Sequence, residues 1–324
     1  MNFLDCAPCF SHPLFMGQYI EDIVESLYEK ERTRIPFNFA SPQISYRSIL
    51  VDFMQNVSEH KQFRRATLHL GIYFLDLFMD NHSIELERLN IVSMVCLLLG
   101  AKIEEMEFNV PRVSEITRLT NIECTVADYI SLEMMVLTFF EWNVMQPTAV
   151  TFLELYLDAV ISQEDFERYT SQVTDGVLYA NHKAMKTAAT SMIFKFLDLT
   201  LTDVQLSVEC PSQLAAAIVA TTRFSMLLDP VWPPNIERIT GYPMSVLDQF
   251  VSRLFRLQEE ATGDDEEERD KRKDTPESGY MSCKEDTTDT EEEEEEEEIE
   301  AEDETMEESE KMDDEELERK RIKL

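Results

Sequence analysis

The chain has 324 residues and carries 65 acidic against 29 basic side chains, a formal net charge of −36. Residues 259–324 hold 33 acids and 10 bases, so −23 of that charge sits in the last stretch and −13 is left for residues 1–258. A body without a basic cluster is unsuited to the phosphate neutralisation on which nonspecific nucleic-acid binding rests, and seven glycines with no GxGxxG or GxxxxGKS/T leave dinucleotide and P-loop sites without support. The body is long enough for one large or two ordinary domains with real cores. Its most apolar stretch, Ile91–Ala101, is about half of the ~20 residues a membrane-spanning helix needs. Met1–Phe10 holds Asp5 and no basic residue, so no secretory signal is read. Six cysteines (6, 9, 96, 124, 210, 283) lack framework spacing. Cys6-x-x-Cys9 followed by His12 has no second pair, so it is read as free thiols of a cytosolic or nuclear soluble protein, with no metal or cofactor expected.

In chain order, residues 17–31 read as an amphipathic helix with Tyr19, Ile20, Ile23, Val24 and Leu27 on one side, within an N-terminal segment 1–40. Ser41-Pro42 reads as N-cap and first helical residue, followed by Tyr46, Ile49, Leu50, Phe53, Met54 and Val57 at helical spacing. A second helix is expected over about 65–80 and a third over 84–102. The third is apolar nearly all round and belongs at the centre of a bundle. A short helix is expected from Pro111 and a fifth over about 125–141. Gln146-Pro147 opens a new series, with Phe152, Leu153, Tyr156 and Leu157 on one face, continuing through 192–203, 211–227 and 244–260. Proline-free, glycine-poor helical stretches of this kind indicate an all-α body of two successive units, 41–145 and 146–258. The segment 259–324, with eight consecutive glutamates at 291–298, cannot bury enough apolar surface to offset its chain entropy and is expected to be disordered.

A few charges interrupt apolar runs. Asp76 stands within Leu70-Gly-Ile-Tyr-Phe-Leu-Asp-Leu-Phe-Met79, and Arg47, flanked by core-type residues, is its natural partner in a structural ion pair. Lys102, Glu104 and Glu105 close the apolar third helix, and Glu133 interrupts Ile130-Ser-Leu-Glu-Met-Met-Val-Leu137. On pattern alone each of these is read as either a solvated, structural charge or part of a site. The five histidines (12, 60, 69, 82, 182) form no motif, and no Ser/His/Asp or Cys/His arrangement can be argued, so no catalytic residue is assigned.

Tyr46-Arg-Ser-Ile-Leu-Val-Asp-Phe53 resembles the Met-Arg-Ala-Ile-Leu-Val-Asp-Trp opening of a cyclin box. Leu97-Leu-Leu-Gly-Ala-Lys-Ile-Glu-Glu105 is similar to the cyclin family's Leu-Leu-Ala-Ser-Lys-Phe-Glu-Glu. Trp232-Pro-Pro-Asn-Ile-Glu-Arg-Ile-Thr-Gly-Tyr242 resembles the family's Trp-Pro…Thr-Gly-Tyr segment before its last helix. Tyr73–Asp80, Phe140-Glu-Trp-Asn143 with Pro147-Thr-Ala149, and Cys210-Pro-Ser-Gln-Leu-Ala-Ala-Ala217 look like the cyclin J subfamily. The resemblance covers roughly 41–256 and is more specific in the first half. It implies two tandem five-helix cyclin-box folds, preceded by a helix and followed by the acidic tail.

The resemblance further implies a regulatory subunit, not an enzyme, that binds and activates a cyclin-dependent Ser/Thr kinase in cell-cycle control. Lys102 and Glu133 match the lysine–glutamate pair that hydrogen-bonds kinase backbone, with Leu99, Ile103, Leu137 and Trp142 as apolar anchors and Glu104 and Glu105 beside them. Tyr46, Ile49, Leu50, Phe53, Leu89 and Asn90 match the groove in which many cyclins hold Arg-x-Leu substrates. Tyr46 and Phe53 replace the usual Met and Trp there, and Asn56 an acidic residue.

In the tail, Lys271-Arg-Lys273 and Lys320-Arg-Ile-Lys323 are short basic islands consistent with nuclear import, giving a nuclear, or nuclear and cytoplasmic, expectation. Thr275-Pro276 reads as a proline-directed phosphosite, and Glu277-Ser-Gly-Tyr-Met-Ser282 resembles a phosphodegron with Ser278 and Ser282 modified, which implies a ubiquitin ligase. Thr288 and Thr290 suit an acidophilic kinase. Two readings compete: a tandem-box transcription adaptor like transcription factor IIB, and an acidic-tail histone-binding protein.

Overall fold

The computed structural model describes residues 20–172 and 179–273, with side chains over 22–172 and 179–262. These residues are helical or connecting, with no strand among them. In order the helices are α1 (Ile20–Arg32), α2 (Arg47–His60), α3 (Arg65–Asn81), α4 (Leu89–Glu104), α5 (Val113–Thr120), α6 (Val126–Phe139), α7 (Ala149–Tyr156), α8 (Gln163–Gln172), α9 (His182–Thr200), α10 (Val204–Ser207), α11 (Pro211–Ser225), α12 (Pro234–Thr240) and α13 (Met244–Lys273).

Two hydrophobic cores follow one another along the chain. The first is built from α2–α6 around α3 and α4, the second from α7 and α9–α13 around α11. Within the first, α3 and α4 cross closely because two glycines face each other. A methyl group on Gly71 would lie 3.0 Å from the Leu97 Cα, and one on Gly100 would lie 2.8 Å from the Thr67 carbonyl oxygen. In the second, Ala215, Ala216 and Ala217 are fully buried, and these small side chains let α11 lie close against α7 and α9.

Proline marked these helix starts less sharply than the sequence suggested. Ser41 and Pro42 do not begin a helix: the Ser41 hydroxyl accepts from the Gln43 amide, and Gln43 Nε2 ties the turn to the Ile84 carbonyl at 2.9 Å. A 3-10 turn at Ile44–Tyr46 then leads into α2. Similarly α4 starts at Leu89 after a 3-10 turn at Leu86–Arg88, α5 starts two residues past Pro111, and α7 begins after the Thr148/Thr151 capping box. The helix expected from 192 starts at His182, where the Asn181 side chain accepts from the Ala184 amide at 2.8 Å. Helices α8, α10 and α12 give little separate signal in the sequence: α8 has only Phe166 and Tyr169 as its apolar side, and α10 and α12 are short. Helix α13 runs on to Lys273, into the stretch from 259 that was expected to be disordered. That stretch is dense in Glu, Lys and Arg, all strong helix formers.

The two boxes are tied by buried polar contacts. Arg47 Nε and Nη2 bind the two oxygens of Asp76 at 2.7 and 2.9 Å, both side chains being buried. The same guanidinium donates to the Leu201 carbonyl at 2.7 Å and to Ser207 Oγ at 3.0 Å, and Ser207 Oγ donates to Asp76 at 3.1 Å. Leu201 itself belongs to the first core. On the surface, Arg65 pairs with Asp198 at 3.0 Å.

Helix α1 packs on the second box, not the first. Val24 is buried, and Leu27 and Tyr28 rest on the second core, whereas Ile23, expected on the same face, is 45 % exposed. Tyr19 lies outside the described residues. Tyr28 and Tyr156 share a hydrogen bond at 3.1 Å. Glu31 accepts from the Ser212 amide at 2.6 Å and the Ser212 hydroxyl at 2.8 Å, so a carboxylate from α1 sits on the N-terminus of α11.

A second buried ion pair escaped the sequence reading. Arg223 and Asp165 meet at 2.9 Å through both oxygens, and Arg223 also donates to the Val160, Pro230 and Val231 carbonyls. Burial alone pushes the Asp165 carboxyl up, but Arg223 and the Ser162 amide and hydroxyl outweigh it and hold the group below the usual range. The signal is weaker than at Asp76, since Arg223 follows Thr221-Thr222 after the apolar run Leu214–Ala220 of α11 has ended.

Candidate functional site

Helix α4 is apolar nearly all round and is buried from Val92 to Ala101. The residue that ends this buried run is Lys102, in the last turn, where a cation complements the helix dipole. Helix α6 packs beside α4 and is capped by Thr125, whose side chain accepts from the Asp128 amide at 3.1 Å. Glu133 lies in the middle of α6, and Lys102 Nζ reaches its Oε1 at 2.6 Å.

Tyr129 completes this pair. One turn before Glu133 on α6, its ring is buried, and its hydroxyl donates to the same Glu133 Oε1 at 3.1 Å. Lys102 Nζ stands 5.3 Å from the centre of the Tyr129 ring. Burial, then the Glu133 charge and its hydrogen bond, raise the phenol well above its ordinary range. The hydroxyl is therefore a fixed donor.

The Lys102 side chain is 44 % exposed, so its ion pair contributes little to stability. The same two helices and the segment after α4 also present apolar side chains. Ile103 and Leu137 are half-buried; Val126, Ile130 and Met134, at four-residue steps on α6, are exposed, as are Met106 and Phe108 beyond α4. Exposed apolar side chains gathered around a fixed charge pair are the mark of an interaction surface. Methionines at 106 and 134 add an adaptable edge.

The remaining residues expected at this site divide. Leu99 is buried and supports the face from beneath. Trp142 is 61 % exposed just past the C-terminus of α6, held at positive φ by its amide bonding the Leu137 carbonyl at 2.9 Å. Glu105 turns inward instead: its Oε1 accepts from the Arg64 amide and the Thr67 hydroxyl, each at 2.6 Å, and so caps α3. Glu104 is half-buried, and burial raises its carboxyl against the opposing pull of Arg64. Tyr129, Ile130, Met134 and Phe108 were missed. Their exposure, or in Tyr129 its hydroxyl bond, depends on how α4 and α6 are turned, which spacing along one helix does not reveal.

The second expected site is only partly open. Tyr46, Ile49 and Asn90 are exposed and Phe53 half-buried, but Leu50 and Leu89 are closed into the first core at 2 and 3 % exposure. Helix α2 and the turn before it therefore offer two open side chains, Ile49 and Tyr46, with the half-buried Phe53 ring and Asn56 as polar neighbour. Lys271–Lys273 forms the last turn of α13, and Cys6, Cys9, His12, Thr275, Ser278, Ser282, Thr288, Thr290 and the 320–323 island lie outside the described residues. Among the described residues no cluster of metal-ligating side chains occurs, and no helix is long and apolar enough to cross a membrane.

Comparison with known proteins matches both halves. The family model for the cyclin N-terminal domain matches residues 22–145, and that for the cyclin C-terminal domain matches 147–284. The chain is 32% identical to Cyclin-J of Homo sapiens over 244 residues, which is 74% of this chain and 61% of that protein. It is equally identical, 32%, to Cyclin-J of Xenopus laevis over 74% of this chain and 62% of that one, and 28% identical to Cyclin-A2-4 of Arabidopsis thaliana over 79% and 53%. The chain thus spans about three fifths of the length of the Cyclin-J relatives it matches. In fold it resembles a viral cyclin from herpesvirus saimiri, with a TM-score of 0.54 and 18% identity over 72% of this chain and 94% of that one.

Proposed function

The chain belongs to the cyclin family, and from that premise we propose that it is the regulatory subunit of a cyclin-dependent Ser/Thr kinase, docking through the face around Lys102 and Glu133. The observation that carries this reading is the 2.6 Å pair at the centre of an exposed apolar surface. Lys102 uses one N–H on Glu133 and keeps the others for carbonyl oxygens of a partner; Glu133 Oε2 is free to accept an amide. Ile103, Ile130, Met134 and Leu137 then exclude water from these bonds, which strengthens them. Docked in this way, the protein holds the kinase's regulatory helix inward, so that the kinase's own Lys–Glu ion pair forms and its activation loop opens. The chain supplies no catalytic group.

Ile49 and Phe53 of α2, with Tyr46 from the turn before it and Asn90 from the start of α4, form a shallow surface for recruiting substrates to the same complex. Phosphorylation at Ser278 and Ser282 controls lifetime through a ubiquitin ligase, Thr275 takes a proline-directed kinase, Thr288 and Thr290 an acidophilic one, and the basic islands direct the protein to the nucleus. These assignments rest on the sequence motifs.

Exchanging the two charges, Lys102→Glu with Glu133→Lys, tests the docking face. The exchanged pair still attracts, so the fold stays intact, but donor and acceptor are presented to the partner in reverse. We expect kinase co-purification to disappear with thermal unfolding unchanged. Kinase retained by the exchanged protein overturns the assignment.

A further inference from the structure

We propose that Tyr129 is a positioning residue for docking: its hydroxyl holds Glu133 in the partner-ready rotamer before any kinase arrives. This rests on the reading of Lys102 and Glu133 as the docking pair. Glutamate has three rotatable bonds, and the Glu133 side chain, 14 % exposed at the surface of α6, still has rotamers that binding must freeze out. Here Glu133 Oε1 receives two donors at once, Lys102 Nζ at 2.6 Å and Tyr129 OH at 3.1 Å. Two donors on one oxygen fix the carboxylate plane and leave Oε2 for the partner.

Three features make Tyr129 suited to the task. Its ring is 3 % exposed and packs in the first core, so the hydroxyl is delivered from an immobile base. It stands four residues before Glu133 on α6, the spacing at which helix side chains meet. Its ring face also lies under the Lys102 ammonium, so one side chain steers both members of the pair. A tyrosine kept only for packing would need a partner for its hydroxyl, but not this oxygen.

The test uses the full chain and a panel of purified monomeric cyclin-dependent kinase catalytic subunits, titrated by calorimetry. Tyr129→Phe keeps the ring and removes the hydroxyl. We expect affinity to fall between about 3- and 10-fold, the range set by releasing one ordered side chain, with the melting transition measured alongside to verify folding. In the unbound protein, carbon NMR of the Glu133 carboxyl should pass from one ordered rotamer in the wild type to an average in Tyr129→Phe, a change that a packing role alone would not produce. If the exchanged pair abolishes binding while Tyr129→Phe binds as the wild type does, or if Glu133 is equally ordered in both, the positioning role is wrong and the docking face stands. If no kinase binds the wild type, or the exchanged pair binds unimpaired, the docking face is wrong and Tyr129 falls with it.

Discussion

Arg47 Nη1 donates a 2.7 Å hydrogen bond to the carbonyl oxygen of Leu201, so a side chain of the first box caps the end of α9 in the second. Asp76 holds that guanidinium from the other side through both oxygens. Removing the carboxylate strands a buried cation, and Asp76→Ala is expected to cost about 3–5 kcal/mol. Because the cation also joins the boxes, the loss should reach both. Trp142 lies in the first box and Trp232 in the second, so fluorescence of single-tryptophan variants during urea unfolding reads each separately. The wild type should unfold in one coincident transition, and the Asp76 variant should shift both reporters.

His69 makes stability depend on pH. Burial, and then the Arg65 charge one turn away, lower its imidazole to about 3, and its Nε2 has no hydrogen-bond partner among the described residues. In the unfolded chain the group titrates near its ordinary ~6.5. Between these values the unfolded state holds a proton that the folded state lacks. Stability is therefore complete above about pH 6.5 and falls with pH below it, by up to about 1.4 kcal/mol per unit. The Asp165 carboxyl, held low by Arg223, adds its own loss only at more acid pH. Urea unfolding at pH 7.5 and 5.5 isolates the histidine. His69→Leu should lose much of the difference seen in the wild type, and an unchanged difference would contradict the assignment.

Glu105 and Lys102 lie three residues apart and should behave as opposites. Glu105 caps α3 from the end of α4, so Glu105→Ala is expected to cost about 0.5–2 kcal/mol of stability. Kinase affinity of the folded fraction should change less than about twofold, since no bond to the partner is removed. Lys102→Ala should do the reverse. Melting curves and calorimetric titration of the two variants separate the roles.

Gly100 is predicted to be the less replaceable of the two glycines at the helix crossing. A methyl there meets the Thr67 carbonyl at 2.8 Å, and backbone cannot swing aside. On Gly71 the contacts are 3.0 Å to the Leu97 Cα and 3.1 Å to the flexible end of Met54. Gly100→Ala should cost about 1–3 kcal/mol, and more than Gly71→Ala, despite alanine's better helix propensity. Chemical denaturation of both variants checks the order.

Much of this architecture was legible because single-helix patterns carry it. The apolar circumference of α4 placed it in the centre, and Asp76 inside an apolar run called for a cation such as Arg47. The helix starts were less legible. Pro42 precedes its helix by five residues and Pro111 and Pro147 by two, with a 3-10 turn leading into α2 and the Thr148/Thr151 capping box into α7. What no pattern carried was contact between distant segments. Arg47 with Leu201, Glu31 with Ser212 and Glu105 with the start of α3 each require two elements to be docked first. The same holds for Tyr129: four-residue spacing allows its bond to Glu133, but only the packing of α6 on α4 turns the hydroxyl toward the pair.

Glu31 meets Ser212 across 181 positions of the chain, and this separation shapes how the protein emerges during synthesis. At ribosomal speeds of about 5–20 residues per second, α1 waits roughly 10–40 seconds for the helix it will cap. Within that interval the first box can close around α3 and α4, while Tyr28 meets Tyr156 only after 128 positions, so the apolar side of α1 stays open until the second box begins to emerge. Helix α1, translated ahead of both boxes, is thus among the last elements to find its place, and its nascent apolar stripe is where a chaperone would bind the growing chain.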